Sequence, residues 1–451
     1  MSATPEGRPL PEMRRVLGLW DATCVVIGAI VGVGIFFTPH DVARIAGSTG
    51  AALLAWTLGG VIALLGAFTF AELGRLRPFA GGQYHILRDT YGRAPAFLFV
   101  FCNLTAVQAG AVAIIAILCA QNLGVALHGA APSGAWVLGV GTALTWILVV
   151  ANVVGVRAGA GFQNVTVVLK LAALAALVVV AAAVPGGAPA ATAAGPAPGL
   201  TFAALFAGVT LTLFAYGGAQ QVLWVAGEVK DAERIVPRAI VLGVFVVTAA
   251  YLAANWAYFD LLGFAGVRGA RALAADAFSV ASPHVGRRIA AAAVAISAFG
   301  VLNAQLLTGP RLTWAMAKDG QFFRPFARLH ARFATPAPAI LLLGALGTGL
   351  LLGLGLDRTD VLTTGVVVVD ASFFALTGLA LPLLMRRTPP ERRGPAWVAV
   401  VAIVFSALEL AAIAGSLLQR DMRPIALSGI GWIGAAALTW ALFFRRDDRA
   451  R

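Results

Sequence analysis

Charge is scarce in this chain. Only 12% of its 451 residues are Asp, Glu, Lys or Arg, about half the share usual in a soluble globular protein. That deficit excludes a soluble protein of this length. Cysteine is scarce as well. Cys24, Cys102 and Cys119 are odd in number, lie in apolar runs and lack metal-ligand spacing. They read as small buried hydrophobes, which excludes a disulfide framework or a zinc cluster. Only three of the 33 basic residues are Lys, and the net charge of +13 is carried by Arg lying between apolar runs. No basic helix interleaved with aromatics occurs, so nucleic acid is excluded as a partner. HExxH, paired His ligands and the GxSxG elbow are missing too, which leaves no sign of an enzyme or of a cofactor. The polar start "MSATPEGRPLPEMRR" does not resemble a cleavable signal peptide.

What the chain has is apolar length: 60% of its residues are hydrophobic. About 20 apolar residues cross a bilayer as a helix. Twelve such spans are predicted, at 17–44, 49–76, 96–127, 135–155, 163–184, 201–227, 237–262, 288–315, 337–356, 361–385, 396–418 and 424–444. With both termini cytoplasmic, the inside segments hold 24 basic residues and the outside segments 8, with Lys170 inside a span. The positive-inside rule therefore sets that orientation, in a cell (inner or plasma) membrane. The fold class is an all-α polytopic membrane protein. Its expected parts are a cytoplasmic tail (1–16), a first five-span unit (17–184), an uncharged Pro/Gly/Ala linker (185–200), a second five-span unit (201–387), two further spans (388–445) and a short cytoplasmic tail (446–451).

Two spans carry interruptions at matching places. Span 1 contains "GAIVGVGIFFTPH", with Gly28, Gly32, Gly34 and Pro39. Span 6, the first of the second five, contains "FAYGGAQQ" (Phe214 to Gln221). Glycine weakens a helix and proline removes a backbone donor. In hydrocarbon the freed backbone groups need other partners. Five is an odd number, so the second unit enters from the opposite side, as in an inverted repeat. Interrupted segments at matching places in two halves mark the binding site of a secondary transporter.

The motifs "GVGIFFTP", "AELGRLRPFAGGQYHILRDTYG", "LFAYGGAQQVLWVAGEVKDAERIVPRAI" and "GVLNAQLLTGPRLTWAMAKDGQFF" occur in that order across spans 1 to 10. Together they resemble the amino acid–polyamine–organocation (APC) family, and within it the bacterial relatives of L-type amino acid transporters. The resemblance implies the five-plus-five inverted repeat of sodium-coupled leucine transporters. Substrate is then expected at mid-membrane between broken helices 1 and 6, with spans 3, 8 and 10 completing the pocket.

An amino acid placed at the span 1 break needs donors for its carboxylate. Unwinding at Gly32, Val33, Gly34 and Ile35 frees N–H groups at the positive end of a half-helix. Its ammonium needs acceptors, expected from carbonyls near Ile30 and around Phe214, Ala215 and Tyr216. By resemblance Phe214 is the aromatic gate, and Gly217 leaves room for the substrate. Ala219 departs from the family, where many members carry a bulky aromatic; Gln220 follows it. Interhelical hydrogen bonding is the default for Asn103, Gln108 and Asn303, and Asn103 is counted with the binding residues as well.

Lys170 is an ionisable group deep in span 5 and a functional candidate by default. The resemblance makes it a tethered substitute for the second sodium ion, bracing the span 1 break against span 8 near Ser297; its burial also makes it a candidate proton carrier. Asp370, deep in span 10, is a possible partner for it, in a structural or a proton-relay role. Glu409 is assigned to an oligomer contact or to water, and Glu72 to anchoring the cytoplasmic connection. The expected function is sodium-independent amino acid transport by alternating access, proton-coupled or as an exchanger. The alternatives are a polyamine or amine carrier and a non-transporting sensor on the same fold. Expected partners are the amino acid, membrane lipid and protons; nothing calls for an obligatory protein partner.

Overall fold

The computed structural model describes residues 13–36, 38–184, 202–270, 272–282, 285–354, 366–418 and 423–445. The expected linker, most of both terminal tails and the Phe214 side chain lie outside the described residues. Among those described, the chain is helical throughout, apart from turns and one isolated parallel bridge between Leu17 and Val229.

Among the described residues, nine helices are long and apolar enough to cross a membrane by length and composition. They are α3 (Thr49–Leu76), Arg93–His128, α7 (Gly134–Val154), α8 (Val156–Ala183), α11 (Ala232–Gly269), Gly286–Lys318, and the cores of α16 (Val366–Arg387), α17 (Ala396–Leu418) and α18 (Arg423–Thr439). The pieces that fall short are α1 (Leu19–Ile30), α2 (Thr38–Ala46), α9 (Phe202–Tyr216), α10 (Gln221–Trp224) and α15 (Ala337–Leu354). Four of these five come from the interrupted stretches. The two long connections each fold into a short helix, α4 (Gly82–Tyr91) and α12 (Leu273–Ala281).

Local chemistry sets several boundaries. Ser48 and Ser133 cap α3 and α7 by accepting from the N–H groups of Ala51 and Trp136, as short hydroxyl side chains do at helix starts. The span through residues 93–128 is not a uniform α-helix. It joins α5 (Arg93–Cys102) to α6 (Ala109–His128) through a π-helical turn over Asn103–Gln108. Such turns often mark functional sites. Span 5 begins seven residues before its predicted start, at Val156, because Arg157 interrupts the apolar run of "VRAGAGF" and its two glycines are weak helix formers.

The middle of the bundle is the segment formed by α13 (Gly286–Thr308) and α14 (Pro310–Lys318). Of its most apolar window, 72% is buried, against 11% for the last span, which sits at the periphery. At the end read as cytoplasmic, polar groups tie the elements together. Glu228 O accepts from Val16 and Leu17 N–H (2.8 and 3.0 Å), and Lys230 N–H donates to Leu17 O at 2.9 Å. Arg311 donates through Nε and Nη2 to the two Glu228 oxygens (2.8 and 3.2 Å), with both side chains buried. Arg88 of α4 pairs with Asp319. Burial alone would raise the Asp89 carboxyl, but hydrogen bonds from Arg88 and Arg77 outweigh it and hold it below the usual carboxylate range. Glu72 pairs with Arg75, whose Nη2 also donates to Arg392 O at 2.6 Å. That ties α3 to the connection before α17.

Candidate functional site: two facing helix breaks

Helix α1 stops at Ile30. Val31 turns out of the helix (φ −71°, ψ 84°), and Gly32 N–H folds back onto Ile30 O at 2.7 Å. A short 3-10 turn, Gly34–Phe36, leads into α2. Among the described residues, no hydrogen bond uses the N–H groups of Val33, Gly34 or Ile35. Three consecutive donors are therefore open at the start of the second half-helix.

The carbonyls at the other side of the break are taken. Lys170 on α8 is fully buried, and its Nζ donates to Gly28 O (3.0 Å) and Val31 O (2.7 Å). Ser297 on α13 donates to Val31 O (3.2 Å) or Gly32 O (3.1 Å). An ammonium at a helix C-terminus meets the negative end of the dipole as well as the unpaired carbonyls. No carboxylate lies within ion-pair distance of Lys170 among the described residues. The pairing with Asp370 considered from sequence is therefore replaced by backbone carbonyls, and Asp370 stands apart on α16. Room for the ammonium comes from Gly300, where a Cβ would sit 2.9 Å from Nζ.

Tyr251 on α11 was not singled out by sequence. Its hydroxyl lies 3.0 Å from Ile30 O and 3.3 Å from Ala215 O, so one buried phenol bridges the two breaks. The carbonyl of Ile30, expected as an ammonium acceptor, thus already receives Tyr251 and Gly32. Tyr251 also packs edge-on to Trp56, which packs the same way on Tyr216 (ring centroids 5.7 and 5.8 Å). The available signal was a phenol placed mid-span in the largely apolar run "VVTAAYLAANWAY", which it shares with Thr248 and Tyr258.

In the second break, α9 ends at Tyr216 and a turn over 217–220 leads to α10. Gly218 adopts φ 121°, and a Cβ there would lie 2.7 Å from Ala29 O. This brings the turn directly onto α1, and a Cβ added at Gly34 would lie 3.6 Å from the Ala215 Cβ. Replacing Gly218 by Ala is expected to cost roughly 2–4 kcal/mol, about 1–2 from the left-handed backbone and the rest from overpacking. A thermal melt in detergent checks this, and an unchanged melt would mean that the turn relaxes freely.

Gly217, Ala219 and Gln220 line a cavity of about 40 Å³ behind this turn. A wider, open hollow of about 410 Å³, lined by His40, Asp41, Arg44 and Arg268 among others, includes no break residue. Gln221 joins α10 to α13: its Nε2 donates to Gln305 Oε1 (3.2 Å) and its Oε1 accepts from Thr308 Oγ1 (2.9 Å). Asn303 donates to Gly159 O and Gln163 Oε1, an interhelical role. Asn103 is buried at the start of the π-turn, and Gln108 Oε1 ends it without a partner.

Interrupted helices that meet inside an apolar bundle, with one end open as donors and the other held by a buried ammonium, define a polytopic membrane protein of the transporter class. Residues 17–435 match the family model described as "Amino acid permease", and the chain belongs to that family, an APC-type permease group. It is similar to the serine/threonine exchanger SteT of Bacillus subtilis (strain 168), with 30% identity over 412 residues and 90% of each chain covered. It is similar to the human b(0,+)-type amino acid transporter 1, with 28% identity over 411 residues, covering 88% of this chain and 81% of the relative. It is also similar to the human cystine/glutamate transporter, with 28% identity over 350 residues, covering 75% and 68%. These relatives are transporters and not enzymes.

Proposed function

We propose that this chain is a secondary active transporter of amino acids, working by alternating access without sodium, as an exchanger or coupled to protons. The observation that carries the reading is the pair of ends at the first break. Open N–H groups at Val33, Gly34 and Ile35 suit a carboxylate, while Lys170 occupies the opposing carbonyls where a metal cation would otherwise sit. In this reading α1 with α2, α9 with α10, and α15 complete twelve spans. They form two inverted units, 17–184 and 201–387, with both termini cytoplasmic in the cell membrane. Ile30, Gly32 to Ile35, Phe214 to Gly217, Ala219, Gln220 and Asn103 surround the substrate. Lys170 and Ser297 brace the break, and Asp370 is an auxiliary acid on span 10. The likeness to a serine/threonine exchanger favours exchange.

The test is uptake of labelled amino acids by the purified chain in liposomes, with sodium, a pH gradient and internal amino acid varied separately. Uptake is expected without sodium and to be accelerated by internal amino acid or by an inward proton gradient. Sodium-dependent uptake would overturn the coupling, and failure of any amino acid to move or to stabilise the protein would overturn the transport reading.

A further inference from the structure

Glu409 lies near the middle of α17, in the otherwise apolar run "VAVVAIVFSALELAAIAG". Its neighbours Val404 and Leu410 are 43% and 50% exposed, whereas Glu409 is 7% exposed. The helix therefore turns its one carboxyl inward, which corrects the sequence-based assignment to an oligomer contact or to water. Among the described residues no donor and no basic side chain reaches that carboxyl. It lines the cavity of about 40 Å³ behind the second break. Phe70, Phe374 and Phe405 form apolar walls, and the Tyr216–Gln220 turn forms the wall facing the breaks. That volume is enough for one water, whose share of liquid volume is about 30 Å³.

The titratable groups facing Glu409 do not neutralise it. From α16, Asp370 lies near enough for the two carboxyl charges to interact. From the turn comes the Tyr216 phenol, placed 3.4 Å from Trp56 O. The α3 residues in the wall are apolar, and Glu72 at the far end of that helix is already paired with Arg75. On α18, Arg423 is the sole charged residue and is exposed. A carboxylate without a cation or a donor is costly in hydrocarbon, and aromatic faces offer it a negative potential. Metal cations such as Mg²⁺ and Ca²⁺ take shells of about six or more oxygens, far more than this apolar cavity supplies. A proton neutralises the group and needs no such shell.

We propose that Glu409 is a proton-binding site, reached through the water-sized cavity behind the second break and coupled to the Tyr216–Gln220 turn that walls it. Any rearrangement of the turn changes the hydration of the carboxyl, so proton occupancy and the shape of the break bias each other. The coupling deepens the transport reading and rests on it; the proton site itself does not.

The full chain in detergent is titrated with acid and base under infrared difference spectroscopy. A protonated carboxyl band is expected to titrate in the native protein, to be absent in Glu409→Gln and to be displaced in Glu409→Asp. No loss of a titrating band in Glu409→Gln overturns the proposal. Should Glu409→Gln fail to fold, an undisplaced band in Glu409→Asp overturns it equally. The second readout is affinity for the standard amino acid that most stabilises the protein. In the native chain the apparent Kd is expected to change by up to about tenfold per pH unit, the limit for one linked proton. In Glu409→Gln it is expected to stay within about twofold. A native slope retained in Glu409→Gln overturns the coupling. If no amino acid binds, the transport reading fails, and the infrared result still decides the proton site.

Discussion

Replacing Lys170 by Ala is expected to reduce amino acid uptake in liposomes by about 100-fold while the chain remains folded and inserted. The ammonium makes two charge-assisted hydrogen bonds, to Gly28 O and Val31 O. Hydrogen bonds to a charged group are worth about 1.5–3 kcal/mol each. Losing one such contribution on the transport-competent shape of the break corresponds to about a hundredfold at 1.4 kcal/mol per decade. Ser297 keeps a hold on Val31 O or Gly32 O, so the break is loosened and the surrounding packing is not lost. Gly300→Val provides a check from the other side, because it intrudes on the space of the Lys170 side chain without removing the charge. Uptake by Lys170→Ala at the native rate would overturn the bracing role. A restored rate in high sodium would show that an external cation can take the ammonium's place.

The largest expected loss of stability is at the other end of the molecule. Glu228→Gln keeps the shape of the side chain but removes the charge opposite Arg311, and Arg311 is fully buried. Breaking a buried ion pair from one side costs about 3–5 kcal/mol because the remaining charge is stranded. One guanidinium nitrogen, Nη1, already lacks a partner, so the site has little spare capacity. A lower melting temperature in detergent is expected. Adding Arg311→Met should recover much of the loss, because it removes the stranded charge. If the double variant melts no higher than Glu228→Gln alone, the loss comes from backbone distortion around the Leu17–Val229 bridge and not from electrostatics.

The apolar spans were legible because hydrocarbon imposes length and composition with few exceptions. The predicted 49–76 and 396–418 coincide with α3 and α17. The two breaks were legible because glycines interrupt otherwise continuous runs. Lys170 was legible as a lone cation at depth, and its acceptors follow from the carbonyls that a broken helix leaves open. Tyr251, Arg311 with Glu228, and the inward turn of Glu409 were not legible. Each depends on the rotational setting of one helix against others far away in the chain. Local periodicity does not report that setting when a helix is apolar all round. The π-turn over Asn103–Gln108 was hidden for a related reason, since its residues differ little from those of an ordinary helix.

The ammonium that holds the first break is a covalent part of the chain. Its local concentration at Gly28 O and Val31 O is therefore set by the packing of α8 against α1 and is the same in any medium. A dissociable ion at that position would tie the shape of the break to the composition of the two compartments. A tethered one makes that shape constitutive. It crosses no membrane and so carries no gradient. Work done by this permease against a concentration difference must then be drawn from some other species, one that is free to leave.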